Sequence, residues 1–375
     1  MNAEEFKQEI VSVFQERYDD TPGPDNIPFA RLNDEWEAVK RSGCVADLAA
    51  FFNITNWLKQ RDLAYWVNGA GGSSFLLYVM GVTEANPLPP HLYCPKCKKI
   101  FSDERTAAVY DGFDIPAGAR CPVCGEEMAG DGHDVPWQSM WGCPGEGETM
   151  REDEKPFFGL RVPNRICGEL QEALPELWPT SETPKIDLRP YSGGEGGMIH
   201  LSQIIITGDP YLNTMFPDEN NKVDASCRSI AVDRWEDLVA LDYFREQNLI
   251  FDVPEPKTFA DLIADFGLLH SQGAWDGETR FMATRLGYQS ADFIAFREDI
   301  FRYLTEHHVA EKDAWRAMLG VMKGNGLVIS CPELDCSRDK WVKYLCGKRI
   351  RYLSPKAHAL EYIFFSLRTS VFNRM

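Results

Sequence analysis

Two cysteine pairs, Cys94-Pro-Lys-Cys97 and Cys121-Pro-Val-Cys124, constrain this chain more than any other feature of it. Each Cys-x-x-Cys closes a tight turn on a metal, and the 23 residues between the pairs let both turns reach one ion. The spacing predicts four thiolates around a structural Zn²⁺, because four protein ligands leave the ion no open position for a substrate. Two unrelated pairs of buried or redox-active cysteines are the competing reading, and neither pair sits in a thioredoxin-like strand–helix context.

At 375 residues the chain can bury a sizeable core and divide into two or three domains. Its 22 Phe, 13 Tyr and 10 Trp argue for ordered structure. Met1-Asn2-Ala3-Glu4-Glu5 does not read as a signal peptide, and no run of 18 apolar residues predicts a membrane helix. Eleven cysteines, an odd number scattered beyond the two knuckles, fit a reducing compartment. A cytoplasmic protein without a membrane partner is therefore expected. The net charge of −18 opposes a broad contact with nucleic-acid backbone. Yet Arg338 to Met375 holds nine Lys or Arg against two acids. If any segment meets phosphates it is this one; a solvated basic helix face is the alternative.

Amphipathic spacing predicts a helix over Glu4–Arg17, then a loop over Asp20–Pro28. Val45, Leu48, Phe52 and Thr55, widened by Phe51 and Leu58, predict a helix from Val45 to Arg61. Leu63–Val67 reads as a buried strand leading into Asn68-Gly-Ala-Gly-Gly-Ser-Ser74 and the apolar run Phe75–Met80. Gly130–Pro184 reads as a loop-rich insertion, followed by a β-like section through Ile186–Leu188 and Met198–Thr207. Thr258 starts a helix that carries Phe259, Leu262, Ile263 and Phe266 and is expected to stop at Gly267. Trp315, Met318, Leu319 and Met322 form the stripe of another, ending at Lys323-Gly324.

The order of motifs is specific. Gly71-Gly-Ser-Ser74, Gly81-Val-Thr-Glu-Ala-Asn-Pro-Leu-Pro-Pro-His91, the four cysteines and Asp131-Gly-His-Asp-Val-Pro136 together resemble the PolC-type bacterial DNA polymerase III α subunit. The resemblance resumes at Glu236–Asp242, Pro256–Phe259, Phe266–His270, Arg297–Ile300, Lys323–Leu327 and Tyr352–His358. It implies an α+β chain: a polymerase-palm-like α/β core with an inserted four-cysteine zinc ribbon and a C-terminal, mostly helical, fingers-like domain. The expected boundaries are 1–91 for N-terminal helices and a palm-like segment, and 92–128 for the ribbon. A palm remnant with the insertion would take 129–250 and the fingers-like domain 251–375. The chain is far shorter than that family's catalytic subunits.

In that family an Asp-x-Asp pair and a later third Asp hold two Mg²⁺ ions for nucleotide addition. Pro184-Lys-Ile-Asp-Leu188 is the nearest local match, with Lys185 at the first acid position and only Asp187 remaining. In a second register, Pro156-Phe-Phe-Gly-Leu160, Phe157 and Gly159 stand at both positions. The third acid falls on Ile230, with Asp233 as a shifted substitute. A lysine repels the ions that an aspartate would hold, so a Mg²⁺ centre is doubtful on either register.

Gly69, Gly71 and Gly72 would let backbone N–H groups approach a phosphate, with Ser73 and Ser74 as further donors; a tight packing turn fits the same residues. Lys348, Arg349, Arg351, Lys356 and His358 gather near a helix start at Ser354-Pro355. They could bind a triphosphate or phosphodiester, or merely cap and solvate the helix. His133 and His91 are candidate substitute metal ligands, although Asp131–Asp134 reads more simply as a turn holding the ribbon in place.

The leading expectation is a catalytically inactive PolC-like protein that binds a nucleotide, DNA or a replication protein through its basic C-terminal segment. An active DNA polymerase or nucleotidyltransferase using Asp187, Asp209 or Asp233, and a zinc-stapled structural remnant, are the alternatives. Oligomeric state is not legible.

Overall fold

The computed structural model describes residues 3–22, 26–143, 150, 154–177, 186–189, 204–209, 253, 256–325 and 350–372. It opens with helices α1 (Ala3–Arg17), α2 (Ile27–Ser42) and α3 (Val45–Lys59), strand β1 (Trp66–Asn68) and the short helix α4 (Phe75–Val79). Strands β2 (His91–Cys94) and β3 (Lys99–Phe101), helix α5 (Glu104–Ala107), strand β4 (Ala129–Asp131) and helix α6 (Gln138–Trp141) follow. Then come β5 (Phe158–Pro163), α7 (Cys167–Ala173), β6 (Ile186–Arg189) and β7 (Ile204–Asp209). The C-terminal part holds α8 (Phe259–His270), α9 (Gly277–Leu286), α10 (Arg297–Glu306), α11 (Glu311–Met322) and α12 (Lys356–Phe372). The fold is mixed α+β.

A four-stranded sheet runs β1-β5-β7-β6, with β1 antiparallel to β5 and the other three strands parallel. Period-two alternation gives it two faces. Val67, Phe158, Leu160, Val162, Ile204 and Ile206 join the core formed with α1 to α4, in which Phe6, Phe14, Trp36, Phe51 and Phe75 are buried. The opposite face carries Trp66, whose ring packs on His358, Tyr362 and Phe365 of α12 at 5.3, 5.6 and 6.4 Å. A second apolar cluster, around Phe259, Ile300, Trp315, Met318 and Ile363, unites α8, α10, α11 and α12. A small antiparallel sheet, β3-β2-β4, carries the cysteine knuckles and its own core of Leu92, Ile115, Ala119 and Met128.

Several elements differ from the sequence expectation. Helix α2 occupies the stretch before Val45: Asn26 caps it by accepting from Phe29 N–H at 3.2 Å, Pro28 sits in its first turn, and Leu32, Trp36 and Val39 face the core. Within the stretch read as a loop-rich insertion, Phe158–Pro163 is a central strand and Cys167–Ala173 a helix. Gly267 does not end α8, which runs on to His270. A Cβ at Gly267 would stand 2.5 Å from the Phe296 ring, so this glycine lets the segment before α10 press against the helix.

One buried carboxylate ties the first core together. Glu35, on the core side of α2, is fully buried and accepts from Ser74 Oγ (2.9 Å), Phe75 N–H (2.9 Å), Leu76 N–H (3.3 Å) and Trp141 Nε1 (3.2 Å). Arg31 supplies the counter-charge at 2.5 Å and reaches on to the carbonyls of Ser73 and Val135 at 2.8 and 2.9 Å. Removing one member of such a network leaves buried donors and a guanidinium unpaired, which costs roughly 3–5 kcal/mol. Glu35→Ala is therefore expected to lower the unfolding free energy by about that amount in urea titrations monitored by Trp fluorescence, with Glu35→Gln losing less.

Candidate metal centre and the sheet face beside the glycine turn

The β2–β3 hairpin closes at the first knuckle, where Cys97 N–H points at Cys94 Sγ (3.4 Å) and Lys98 takes the left-handed φ of 57°. The second knuckle returns through Gly125 N–H to Cys121 O at 2.9 Å. Cys94 Sγ lies 3.6 Å from Cys124 Sγ, Cys97 Sγ 3.8 Å from Cys121 Sγ, and all four sulfurs fall within 4.8 Å of one another. Zn–S bonds of about 2.3 Å in a tetrahedron would put sulfurs roughly 3.8 Å apart. The donor set thus fits a thiophilic ion such as zinc, and it saturates the coordination sphere. Without an ion, the Cys97 thiol is pushed up to about 12, first by its hydrogen bond to Cys124 and then by burial. Metal binding must therefore displace protons. Neither histidine considered as a substitute ligand belongs to this cluster: His91 Nδ1 meets Pro89 O at 2.7 Å, and buried His133 pairs with buried Asp111 at 2.8 Å.

The ribbon fastens neighbouring elements together. Lys98 donates to Gln15 O (2.9 Å), its carbonyl accepts from Asp19 N–H (2.8 Å), and Tyr93 OH donates to Arg17 O (2.7 Å), holding the end of α1. On the other side Asp114 accepts from Phe259 and Ala260 N–H at 2.6 and 3.1 Å, occupying the N-terminus of α8. Burial pushes its carboxyl up to about 6 despite those donors.

The glycine turn packs inward. Ser73 and Ser74 are fully buried; Ser73 Oγ donates to Ala70 O (2.7 Å), and Ser74 Oγ donates to Glu35 while capping α4. Gly71 and Gly72 are buried as well, and a Cβ at Gly72 would stand 3.0 Å from Glu361 of α12. A Cβ at Gly69 would stand 2.9 Å from the Phe157 ring. Gly69 N–H donates to His358 Nδ1 at 3.1 Å. A backbone N–H can only donate, so Nδ1 is bare and the imidazole is neutral. Burial first, and then His270 and Arg161, lower the His358 pKa to about 4.

His358 is thus packed against the glycine turn, and it does not solvate a helix start. Lys356 belongs to the other side of α12, where its side chain borders a small groove with Tyr110, Phe296, Asp299 and Arg302. Its backbone N–H donates to buried Glu298 at 2.9 Å. Arg351 is exposed and lies beside Gln272, whose carbonyl accepts its N–H at 2.7 Å. Sequence reasoning missed Glu35, Glu298 and Asp114. The one visible signal was a charged residue within an apolar helical stripe, as at Leu32-x-x-Glu35-Trp36.

Across the sheet, Asn68, Gly159, Ile205 and Asp187 pair in one row, and Trp66, Arg161, Thr207 and Arg189 in the row two residues along. Gly159 is therefore directly opposite Asn68 on the strand that enters the glycine turn, and a Cβ there would stand 2.3 Å from Asn68 Oδ1. Asp187 is two strands further, on edge strand β6, and Asp209 ends β7. Arg161 Nε and Asn68 Oδ1 are buried without hydrogen-bond partners. Lys185, Ile230, Asp233, Lys348 and Arg349 lie outside the described residues.

The chain is 25% identical to DNA polymerase III PolC-type of Thermotoga petrophila over 454 residues, covering 91% of this chain and 32% of that one. With the proteins of that description from Staphylococcus saprophyticus and Streptococcus pyogenes the identities are 24% and 23%, each over 94% of this chain and 31% of the relative. Its homologues are PolC-type DNA polymerase III proteins. No protein-family model matches. The chain spans about a third of the length of these curated relatives. The aligned stretch of 454 residues exceeds the 375 of this chain, so the PolC-type relatives carry segments that it lacks. No helix among the described residues is long and apolar enough to cross a membrane.

Two outcomes are expected. Cys94→Ser and Cys121→Ser should each lower bound zinc, measured by emission spectrometry, and lower the melting temperature, because structural zinc contributes on the order of 10 kcal/mol in small modules. Full occupancy with unchanged melting would rule the site out. For His358, a folded pKa near 4 against about 6.5 unfolded means the unfolded chain binds the extra proton. Its stabilisation is present above about pH 6.5 and is lost as pH falls towards 4. His358→Gln should flatten that acid limb in pH-dependent urea unfolding.

Proposed function

We propose that this chain is a PolC-like protein of DNA replication that binds nucleotide or nucleic acid without joining nucleotides. In this reading the four-stranded sheet with α1 to α4 is the counterpart of a polymerase palm, over residues 1–91 and 129–250. The ribbon at 92–128 is its zinc module, and α8 to α12, within 251–375, are the fingers. Kinship with PolC-type polymerases supports the replication setting, and the four convergent thiols support the zinc.

The observation that carries the loss of chemistry is the packing of β5 against the glycine turn. In the register that begins at Pro156, the two acid positions are Phe157, whose ring lies on Gly69, and Gly159, where Asn68 leaves no space for a side chain. In the alternative register the surviving Asp187 stands on the far edge strand. Two-metal catalysis needs carboxylates shared by ions about 3.5–4 Å apart. One acid at a sheet edge supplies too few ligands to hold such a pair, and Arg161, two residues along β5 from Gly159, brings positive charge to this face instead. Neutral His358 and the rings of Trp66 and Phe157 make the surroundings of the turn apolar.

Primer extension with a primed template and all four deoxynucleotides, in Mg²⁺ or Mn²⁺, tests the reading directly. No product above a protein-free control is expected. Metal-dependent extension that survives repurification would overturn it and favour relocated ligands.

A further inference from the structure

The fold leaves the helix N-termini highlighted by its own sequence already occupied. Glu35 fills that of α4, Glu298 that of α12 and Asp114 that of α8. A phosphate contact can then come from surface side chains, and α9 with its flanking loops carries exposed arginines and rings together. Thr279 and Ala283 turn inward, and Thr279 Oγ1 is fixed to Ala274 O at 2.9 Å. The opposite side presents Arg280, Phe281, Thr284 and Arg285 to solvent. Phe281 is 57% exposed, Leu286 59% and Tyr288 42%. Arg280 lies over the Trp275 ring at 5.8 Å, and Tyr288 N–H returns to Met282 O at 3.4 Å, with its ring against that of Phe293 at 6.1 Å.

A second segment joins this surface. Gln272 and Tyr352 form an antiparallel bridge, with Gln272 N–H donating to Tyr352 O at 2.9 Å. The bridge sets exposed Arg351 and Tyr352, from the basic C-terminal stretch, beside the loop that enters α9. Arg280, Phe281 and Arg285 are thus exposed on α9, Tyr288 follows it, and Arg351 and Tyr352 flank the loop that enters it, in a chain whose net charge is −18. Single apolar residues on a surface need no explanation, but several exposed rings on and beside one short helix, interleaved with arginines, point to an interaction site.

We propose that this α9 surface binds single-stranded nucleic acid, by stacking unpaired bases on Phe281 and Tyr288 while Arg280, Arg285 and Arg351 hold the backbone. The proposal rests on the nucleic-acid reading above and adds the face and the form of strand. Interleaved aromatic and arginine side chains suit unpaired bases, whose faces are open; stacking contributes about 1–3 kcal/mol per base. A duplex hides those faces. It also brings one phosphate charge per about 1.7 Å of axis towards an acidic body, more than three arginines neutralise. A purely apolar protein partner would leave the arginines without a role.

Anisotropy with a labelled 20-nucleotide oligo-dT and a matching 20-base-pair duplex, titrated with the full chain at several salt concentrations, tests the proposal. The single strand should bind at least tenfold tighter than the duplex, with a log–log salt slope of about −2, as three phosphate contacts at 0.7 each imply. Phe281→Ala with Tyr288→Ala should weaken single-strand binding at least tenfold; Phe281→Trp, which keeps a stacking face, should not. Arg285→Gln should reduce the slope by about 0.7. All these side chains are exposed, so zinc content and melting temperature should stay at parental values and separate lost contact from lost fold. If the parent binds the single strand and the double variant binds it equally, the surface is wrong while the proposed function stands. If the parent binds no single strand, and instead self-associates or captures a protein through residues the double variant removes, the surface serves a protein and the inference is overturned. Primer extension reports on the loss of chemistry independently of all these outcomes.

Discussion

A carboxylate held in an apolar core without partners is unstable by several kcal/mol, and the way this fold satisfies Glu35 sets much of what surrounds it. Its two oxygens gather the hydroxyl of Ser74, two backbone donors of α4, the indole of Trp141 and the guanidinium of Arg31. Helix α2, the glycine turn, α4 and α6 are thereby locked to one charge. The same device recurs where Glu298 meets the start of α12, where Asp114 meets that of α8, and where Glu361 accepts from Glu84 and Ala85 N–H. Each site is one at which a helix end or loop would offer its donors to an external anion. Here the acceptor is a carboxyl group of the chain itself.

The consequence falls on the sheet face that α12 covers. With the Ser73 and Ser74 hydroxyls bonded inward, the outer side of the glycine turn is free to pack, and Phe157, Trp66 and His358 do so. Burial holds His358 neutral, and neutral it accepts from Gly69, so packing and hydrogen bonding reinforce one protonation state. A face built this way favours apolar contact, with Arg161 contributing the opposite charge to the one a divalent ion requires around it. The four thiols stand apart from this face. Their geometry leaves no coordination position open, and the ribbon's hydrogen bonds to α1 and α8 make its role one of bracing two cores against each other.

Much of this was legible in the sequence where local chemistry decides the outcome. Cys-x-x-Cys spacing is enough to foresee the convergence of Cys94, Cys97, Cys121 and Cys124, and Thr258 caps α8 as its position suggests. Elements decided by distant partners were not legible. Helix α2 hides its amphipathic stripe behind a buried glutamate whose partners, Arg31 apart, lie 39 and more residues away. Strand β5 is flanked by prolines and interrupted by a glycine, and its alternation makes sense only beside β1 and β7. Gly267 reads as a helix stop until Phe296 is seen to need the space. Lys356 and His358 look like one cationic cluster in the sequence, yet two positions on a helix are about 200° apart, and α12 presents them to different neighbours. Asp233 and the cysteines beyond Gly324 lie outside the described residues.

An acidic chain and a nucleic-acid ligand are compatible when charge is sorted by distance. At physiological ionic strength the Debye length is about 8 Å, so most of the −18 charge is screened from a strand resting on one face. Arginines in contact with the phosphates act inside that distance and decide the affinity. The distant acids act chiefly on approach, slowing encounter and penalising wide contact. That penalty grows with the number of phosphates brought near the body, so it weighs more on a duplex than on a short flexible strand. A surface of few cations and several rings is the form of nucleic-acid contact such a chain can sustain, since stacking does not depend on net charge.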